Sequence, residues 1–326
     1  MLHNVGVKKH IYIYSPSGAV RDKAAFRRGV RRLQALGHEV EVDPDALSRH
    51  MRFAGDDGQR VAAIHRAAAS GADVALITRG GYGLTRILGH IDYQKIERAV
   101  ADGTQFVGIS DFTALQLAML TQARTISWAG PALCEGFGAL PEPDDIMEDC
   151  FNDLLLGQGE GVGWRCSAPR KKASLTKSTP IGEKSDADPD IHEIASATLW
   201  GGNLSVLVSL LGTPYFPSVK GGILFVEDVA EHPYRIERML TQLLHAGVLA
   251  RQKAIIFGQF TNYTLTSHDR GFNLERVRQW LKSQVSVPIF DNLPFGHVAT
   301  KVLLPVGARV ALSSQGRDVM MAWGHL

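Results

Sequence analysis

The sequence predicts an α/β fold: an N-terminal parallel-sheet α/β domain with a nucleophile elbow over residues 1–160, and a C-terminal mixed α/β domain over residues 196–326. Three observations lead there. In the first half, short apolar runs alternate with segments of helical period, the pattern of a parallel sheet covered on both faces. At Phe106–Ile109 an apolar run stops at Ser110, and a helix-period stretch begins at once with Phe112, Leu115 and Met119 on one face. From Cys166 to Ala195 the composition turns to Lys, Ser, Pro and Asp with few large apolar residues, which marks residues 161–195 as a linker or mobile loop.

Each element has its own signal. Ile11–Tyr14 reads as a strand, ended by the turn Ser15-Pro16-Ser17-Gly18. Residues 21–36 carry Phe26, Val30 and Leu33 at helical spacing, with Gly37 as the stop. "HEVEV" alternates as a short strand, "AAIHRAAASG" is helical, and "DVALIT" is a buried strand closed by "RGGYG". A single helix is expected through residues 84–99, then the strand "QFVGI". The second unit starts near Thr198. "GGILFVED" is a buried strand, and Pro233 opens a helix that stops at Gly247. "KAIIFGQF" is a strand, "LERVRQWLKSQ" a helix, and "VPIFDNLPFGH" a strand and loop. "KVLLPVGARVALSS" reads as two β-runs joined through Pro305–Gly307.

Composition narrows the function. A chain of 326 residues, 45% hydrophobic, can bury two real cores. Thirty-five Lys and Arg against 33 Asp and Glu leave a net charge of +2. That balance makes no electrostatic case for nucleic acid or an anionic membrane as partner. Cys134, Cys150 and Cys166 show no CxxC spacing and are expected as free thiols in a reducing compartment. No run approaches the ~20 apolar residues of a membrane span, and Ile11–Tyr14 is too short for a signal-peptide core. The expectation is a cytoplasmic protein. No HExxH or CxxC occurs, and His268-Asp269 reads as a turn, so no metal site and no cofactor are expected.

Ser110 admits two readings. It is a favoured helix N-cap type. It also stands where a strand-to-helix turn lifts a hydroxyl clear of a sheet and points helix amides at the same spot. Gly108-Ile109-Ser110-Asp111-Phe112 carries only half of the GxSxG pattern. A serine nucleophile needs a base. His65, His192 and His245 lie in polar or helical surroundings, whereas His297 follows Gly296 in a loop at a strand end. The base needs an orienting acid, and either Glu227 or Asp228, at the end of Ile223–Val226, would serve. The paired glycines of "RGGYG" lack the Gly-Lys-Ser/Thr of a phosphate loop and suit close backbone approach to a ligand.

Together these segments resemble the LD-carboxypeptidases, the muramoyltetrapeptide carboxypeptidase family of serine peptidases. The matches are "SPSG", "RGGYG", "GISDFTALQ", "ATLWGGNL", "LGTP", "GGILFVEDVAEHPYRIERMLTQLLHAG", "QKAIIFGQF" and "FGH". The resemblance implies a Ser–His–Glu triad of Ser110, His297 and Glu227, with the site between the two domains. It implies an oxyanion hole from the backbone N–H groups of Gly81 and Asp111, and substrate contacts at Gly80, Trp200 and Asn203. It further implies cleavage of the L-diaminopimelyl–D-alanine bond of murein tetrapeptides in cell-wall recycling, by a homodimer. Some family members instead cleave peptidyl-nucleotide antibiotics of the microcin C type. A rival of another class is a non-catalytic protein that binds its ligand in the cleft.

Overall fold

The computed structural model describes residues 8–168 and 191–326. Two sheets organise it. The first contains β1 (His10–Tyr14), β2 (Glu39–Val42), β3 (Val74–Ile77), β4 (Gln105–Gly108) and β5 (Ser127–Ala129), all parallel, in the spatial order β5-β4-β3-β1-β2. Strands β1, β3, β4 and β5 are buried because helices cover both faces, whereas the edge strand β2 is largely exposed. Ile11, Ile13, Val74 and Leu76 join Phe26 and Leu33 of α1 (Lys23–Ala35) on one side. Tyr12, Tyr14, Ala75 and Ile77 join Ile64 of α2 (Asp57–Ala69) on the other. The period-2 alternation of β1 thus feeds two separate cores.

The helix expected through residues 84–99 is interrupted. It forms α3 (Leu84–Ile87), a 3-10 turn at Leu88–His90, and α4 (Tyr93–Ala101). Asp92 divides them: its carboxylate accepts from the amides of Gln94 and Lys95 and so starts a new helix. After β4 come a 3-10 turn at Ser110–Phe112, α5 (Thr113–Ala118) and a π-helical turn at Met119–Ala123. Further on lies α6 (Asp145–Leu156), which the sequence reading did not anticipate.

The second sheet has the order β10-β9-β8-β7-β12-β13-β6. Its strands are β6 (Gly161–Arg165), β7 (Ile191–Asn203), β8 (Ile223–Val229), β9 (Ala254–Thr261), β10 (Ile289–Phe290), β12 (Arg309–Gln315) and β13 (Asp318–Ala322). β7 to β10 run parallel, and β12, β13 and β6 extend the sheet antiparallel. The helices are α7 (Leu204–Ser209), α8 (Pro233–His245) and α9 (Leu274–Gln284).

Two boundaries differ from expectation. Residues 161–195 are not all linker, since β6 occupies Gly161–Arg165 and β7 begins at Ile191. The remainder of the expected linker, 169–190, lies outside the described residues. The run through Pro305–Gly307 holds two strands that belong to different sheets. Its first strand, β11 (Leu304–Val306), pairs antiparallel with β5 in the first sheet. β12 then returns to the second sheet beside β7.

Candidate active site

Three loops leave the carboxyl ends of β1, β3 and β4 and meet. The strand order reverses direction between β1 and β3, the place where an open α/β sheet forms a crevice. The Ser15–Gly18 turn and the Arg79–Gly83 loop touch there, with Gly18 N–H donating to the Gly80 carbonyl at 3.3 Å.

Ser110 closes the strand-to-helix turn alone. Ile109 before it is extended, at φ −143°, and Ser110 itself has φ +68°. That left-handed conformation is costly for a residue with a β-carbon, so the surrounding packing must enforce it. The packing is visible. A β-carbon at Gly108 would lie 2.6 Å from the Phe112 ring, so Phe112 fills the space where the familiar motif carries its second glycine. A β-carbon at Gly80 would lie 2.6 Å from Ser110 Cβ and 2.8 Å from its Oγ. Only glycine allows the Arg79–Gly83 loop to cross this close to the hydroxyl. No side-chain cap starts the 3-10 turn or α5, so Ser110 is not an N-cap. Among the described residues, the N–H groups of Gly81 and Asp111 find no protein acceptor, and Gly81 has φ +124°.

The Asp111 side chain ties these loops together. It is buried and accepts from Ser17 Oγ at 2.5 Å and from Leu84 N–H at 2.9 Å. Burial raises its carboxyl above the usual range, and the two hydrogen bonds partly offset this.

The second domain brings the acid and the imidazole. Glu227 is fully buried on β8, and its Oε2 meets His297 Nδ1 at 2.8 Å. The β8–β9 register shifts between Val226 and Asp228. The extra residue of this irregularity lies on β9, opposite Glu227. The neighbouring carboxylates share Asn203 Nδ2 and differ in their other partners. Asp228 accepts from the Ser205 amide at 2.9 Å, from the Ser205 hydroxyl and from Asn203 Nδ2 at 3.0 Å. The choice that the sequence left open is thus made in space: Glu227, not Asp228, meets the histidine. Gly296, at φ +143°, brings the chain so close that a β-carbon there would stand 3.3 Å from Glu227 Oε2. Burial alone would lower the His297 pKa. The Glu227 hydrogen bond and charge, with Asp228 adding, outweigh it and leave the imidazole above its ordinary value.

Asn203 and Trp200, both expected as substrate contacts, are buried. Asn203 is a buried strut: its Nδ2 also donates to Glu227 Oε1 at 3.2 Å, and its backbone N–H donates to Thr113 Oγ1 at 3.0 Å. Thr113 is three residues past Ser110, so this contact docks the acid-bearing domain onto the elbow helix. Trp200 is fully buried, donates to Gln252 at 2.9 Å and packs edge-on against Phe216. It belongs to the core of the second domain. Gly80 stays at the site. Among the described residues, Ser110 Oγ makes no hydrogen bond to His297. Charged groups also gather near by: Arg79 and Glu135 lie 3.6 Å apart, and buried Lys301 donates to the carbonyls of Val298 and Ala299. Arg79, Glu135 and Lys301 were missed. Arg79 holds the first position of "RGGYG", a basic residue directly before the paired glycines.

Among the described residues, no group of three or more His, Cys, Asp or Glu side chains could hold a metal ion, and no helix is long and apolar enough to cross a membrane. Profiles of two domains match the chain: the LD-carboxypeptidase N-terminal domain over residues 11–130 and the LD-carboxypeptidase C-terminal domain over residues 196–312. The chain is similar to the solved muramoyltetrapeptide carboxypeptidase of Oxalobacter formigenes, at 35% identity and a TM-score of 0.80 over 97% of this chain and 98% of that one. It is 26% identical to the murein tetrapeptide carboxypeptidase of Pseudomonas aeruginosa over 93% of this chain and 92% of that protein. It is 24% identical to the microcin C7 self-immunity protein MccF of Escherichia coli over 96% and 92% of the two lengths.

Proposed function

The chain belongs to the LD-carboxypeptidase family and is a carboxypeptidase, and from that premise we propose that it releases the terminal D-alanine of murein tetrapeptides through a Ser110–His297–Glu227 triad. The observation that carries this reading is a serine forced to φ +68° at a strand–helix junction, beneath glycines, in a protein where the loop histidine His297 meets the fully buried Glu227 at 2.8 Å. A merely structural serine has no reason to sit in a strained conformation under a loop that only glycine permits.

The proposed reaction runs as follows. Glu227 holds the Nδ1–H tautomer, which leaves Nε2 free as base. Nε2 takes the Ser110 proton as Oγ attacks the carbonyl carbon of the L-centre of diaminopimelate. The N–H groups of Gly81 and Asp111 hold the oxyanion. The imidazolium returns the proton to the D-alanine nitrogen as the C–N bond breaks. Water, deprotonated by His297, then hydrolyses the acyl-enzyme and restores Ser110. His297 must reach hydrogen-bond distance of Ser110, about 2.6–3.2 Å, in the substrate complex, and apo geometry is often looser. The same reading gives the protein a cytoplasmic role in recycling cell-wall peptides, as a homodimer.

The test is incubation of the purified protein with the tetrapeptide and mass detection of D-alanine and tripeptide, beside the Ser110→Ala variant. Release by the wild type and none by the variant is expected. Turnover of an aminoacyl-nucleotide in preference to the tetrapeptide would move the protein to the microcin-type branch. Binding without turnover would make it a cleft-binding protein.

A further inference from the structure

We propose that Arg79 binds the C-terminal carboxylate of the substrate and so confines the enzyme to cleavage of the last residue. The inference rests on the reading of Ser110 as nucleophile.

Part-buried arginines in this protein spend their N–H groups on fixed acceptors. Arg28 donates twice to the Gly138 carbonyl, Arg32 to the carbonyls of Phe137, Ala139 and Pro141, and Arg66 to Asp43 and Asp45. Arg79 is the exception. Its side chain is only 14% exposed, yet among the described residues it makes no hydrogen bond. Its one ionic neighbour is Glu135, at 3.6 Å from Nε, and that carboxylate is 55% exposed. A pair so long and so well solvated is weak. The Arg79 nitrogens are not sealed from water, so its N–H donors stand unspent and within reach of an anionic ligand.

Its place identifies the ligand. The guanidinium folds back over the contact between the two loops: a β-carbon at Gly18 would lie 2.4 Å from Nη1, and one at Gly81 2.9 Å. Both glycines leave room for the fork. Arg79 immediately precedes the Gly80–Gly81 pair that crosses Ser110, so a cation and the proposed oxyanion donor share one short loop. The terminal carboxylate of a peptide cut at its last bond is three covalent bonds from the carbonyl carbon under attack. The two groups must therefore be recognised side by side. The planar guanidinium matches a carboxylate through paired N–H donors, which an ammonium cannot imitate. The carboxylate at the far end of the diaminopimelate side chain is several bonds more distant.

The experiment compares wild type, Arg79→Met and Arg79→Lys on the tetrapeptide, on its C-terminal amide, and on a tetrapeptide with lysine at the third position. Wild type should prefer the acid to the amide by about 10–100-fold, the scale of one charge-assisted hydrogen-bond pair. Arg79→Met should lose about that factor in kcat/KM on the acid, mainly through KM, and little on the amide. Arg79→Lys should recover part of it. The Arg79→Met loss should persist with lysine at the third position. An equal loss on acid and amide would assign Arg79 to the oxyanion or to the loop and overturn the inference. A loss that vanishes with lysine at the third position would assign it to the side-chain carboxylate. Equal use of acid and amide by the wild type would overturn it even if the variants failed to fold. A wild type inert on the tetrapeptide would sink the parent reading, and the inference with it.

Discussion

Single residues carry the chemistry through small distances. Glu227 and Asp228 hold His297 above its ordinary pKa against burial, which pushes it down. In the proposed mechanism His297 is the general base and works only when neutral, so kcat/KM should fall as pH drops through that raised pKa, with a midpoint above the ~6.5 of free imidazole. Glu227→Gln removes the raising charge and leaves the burial. Its midpoint should move to lower pH while the rate falls, and an unmoved midpoint would exclude this pair as the source of the acid limb. Gly80→Ala places a β-carbon 2.6 Å from Ser110 Cβ. Relieving that clash shifts the serine by roughly 1 Å, which costs about 100-fold in turnover and which steady-state kinetics would register with the unfolding midpoint as control. The resemblance proposes Ser110, His297 and Glu227 as a set, of which the structure joins His297 to Glu227. The residues alone left Glu227 and Asp228 equivalent, because a strand that simply alternates gives no reason to prefer either.

At the scale of elements, the site depends on loops that grip one another. Asp111 is the clasp between the elbow, the Ser15–Gly18 turn and the start of α3. Asp111→Ala would leave Ser17 Oγ and the Leu84 N–H buried without their acceptor. Each such orphan costs about 1–3 kcal/mol. Denaturant unfolding should report a loss on that scale, and turnover should fall further than stability explains, because the Gly80–Gly81 backbone loses its anchor. Full activity in Asp111→Ala would show that the loops hold their places unaided. The strands with dense apolar runs, and the helices with clear stops at Gly37 and Gly247, were readable in advance because local periodicity decides them. The break within residues 84–99 was not, since it depends on whether Asp92 caps a helix or merely lies on one.

At the scale of the whole molecule, the two domains are not independent beads. β11 comes from residues 304–306 yet lies beside β5 in the first sheet, with Pro305 opposite Trp128. Residues 1–160 expressed alone would therefore leave β5 as an unpaired edge beside the apolar Trp128, a site for aggregation. The fragment should be poorly soluble and inactive. Residues 161–326 alone should also be inactive, since they lack Ser110. Co-expression should recover turnover as β11 docks. A monomeric N-terminal fragment that unfolds as cooperatively as the intact chain would refute this coupling, as light scattering and thermal unfolding would reveal.

The sequence by itself determined the α/β class, most strand and helix positions in the first half, and the junction at which Ser110 stands, because these follow from apolar period and turn residues over short spans. It also carried the motifs that mark the family. Tertiary structure alone decided the rest. The φ of Ser110 depends on Phe112 packing over Gly108, and the partner of His297 on which β8 carboxylate its loop reaches. The role of Asn203 depends on a hydroxyl ninety residues away. The solitary Arg79 is visible only once every carbonyl that could satisfy it has been placed. Each is a contact between distant segments, and local spacing holds no record of which distant segment will arrive.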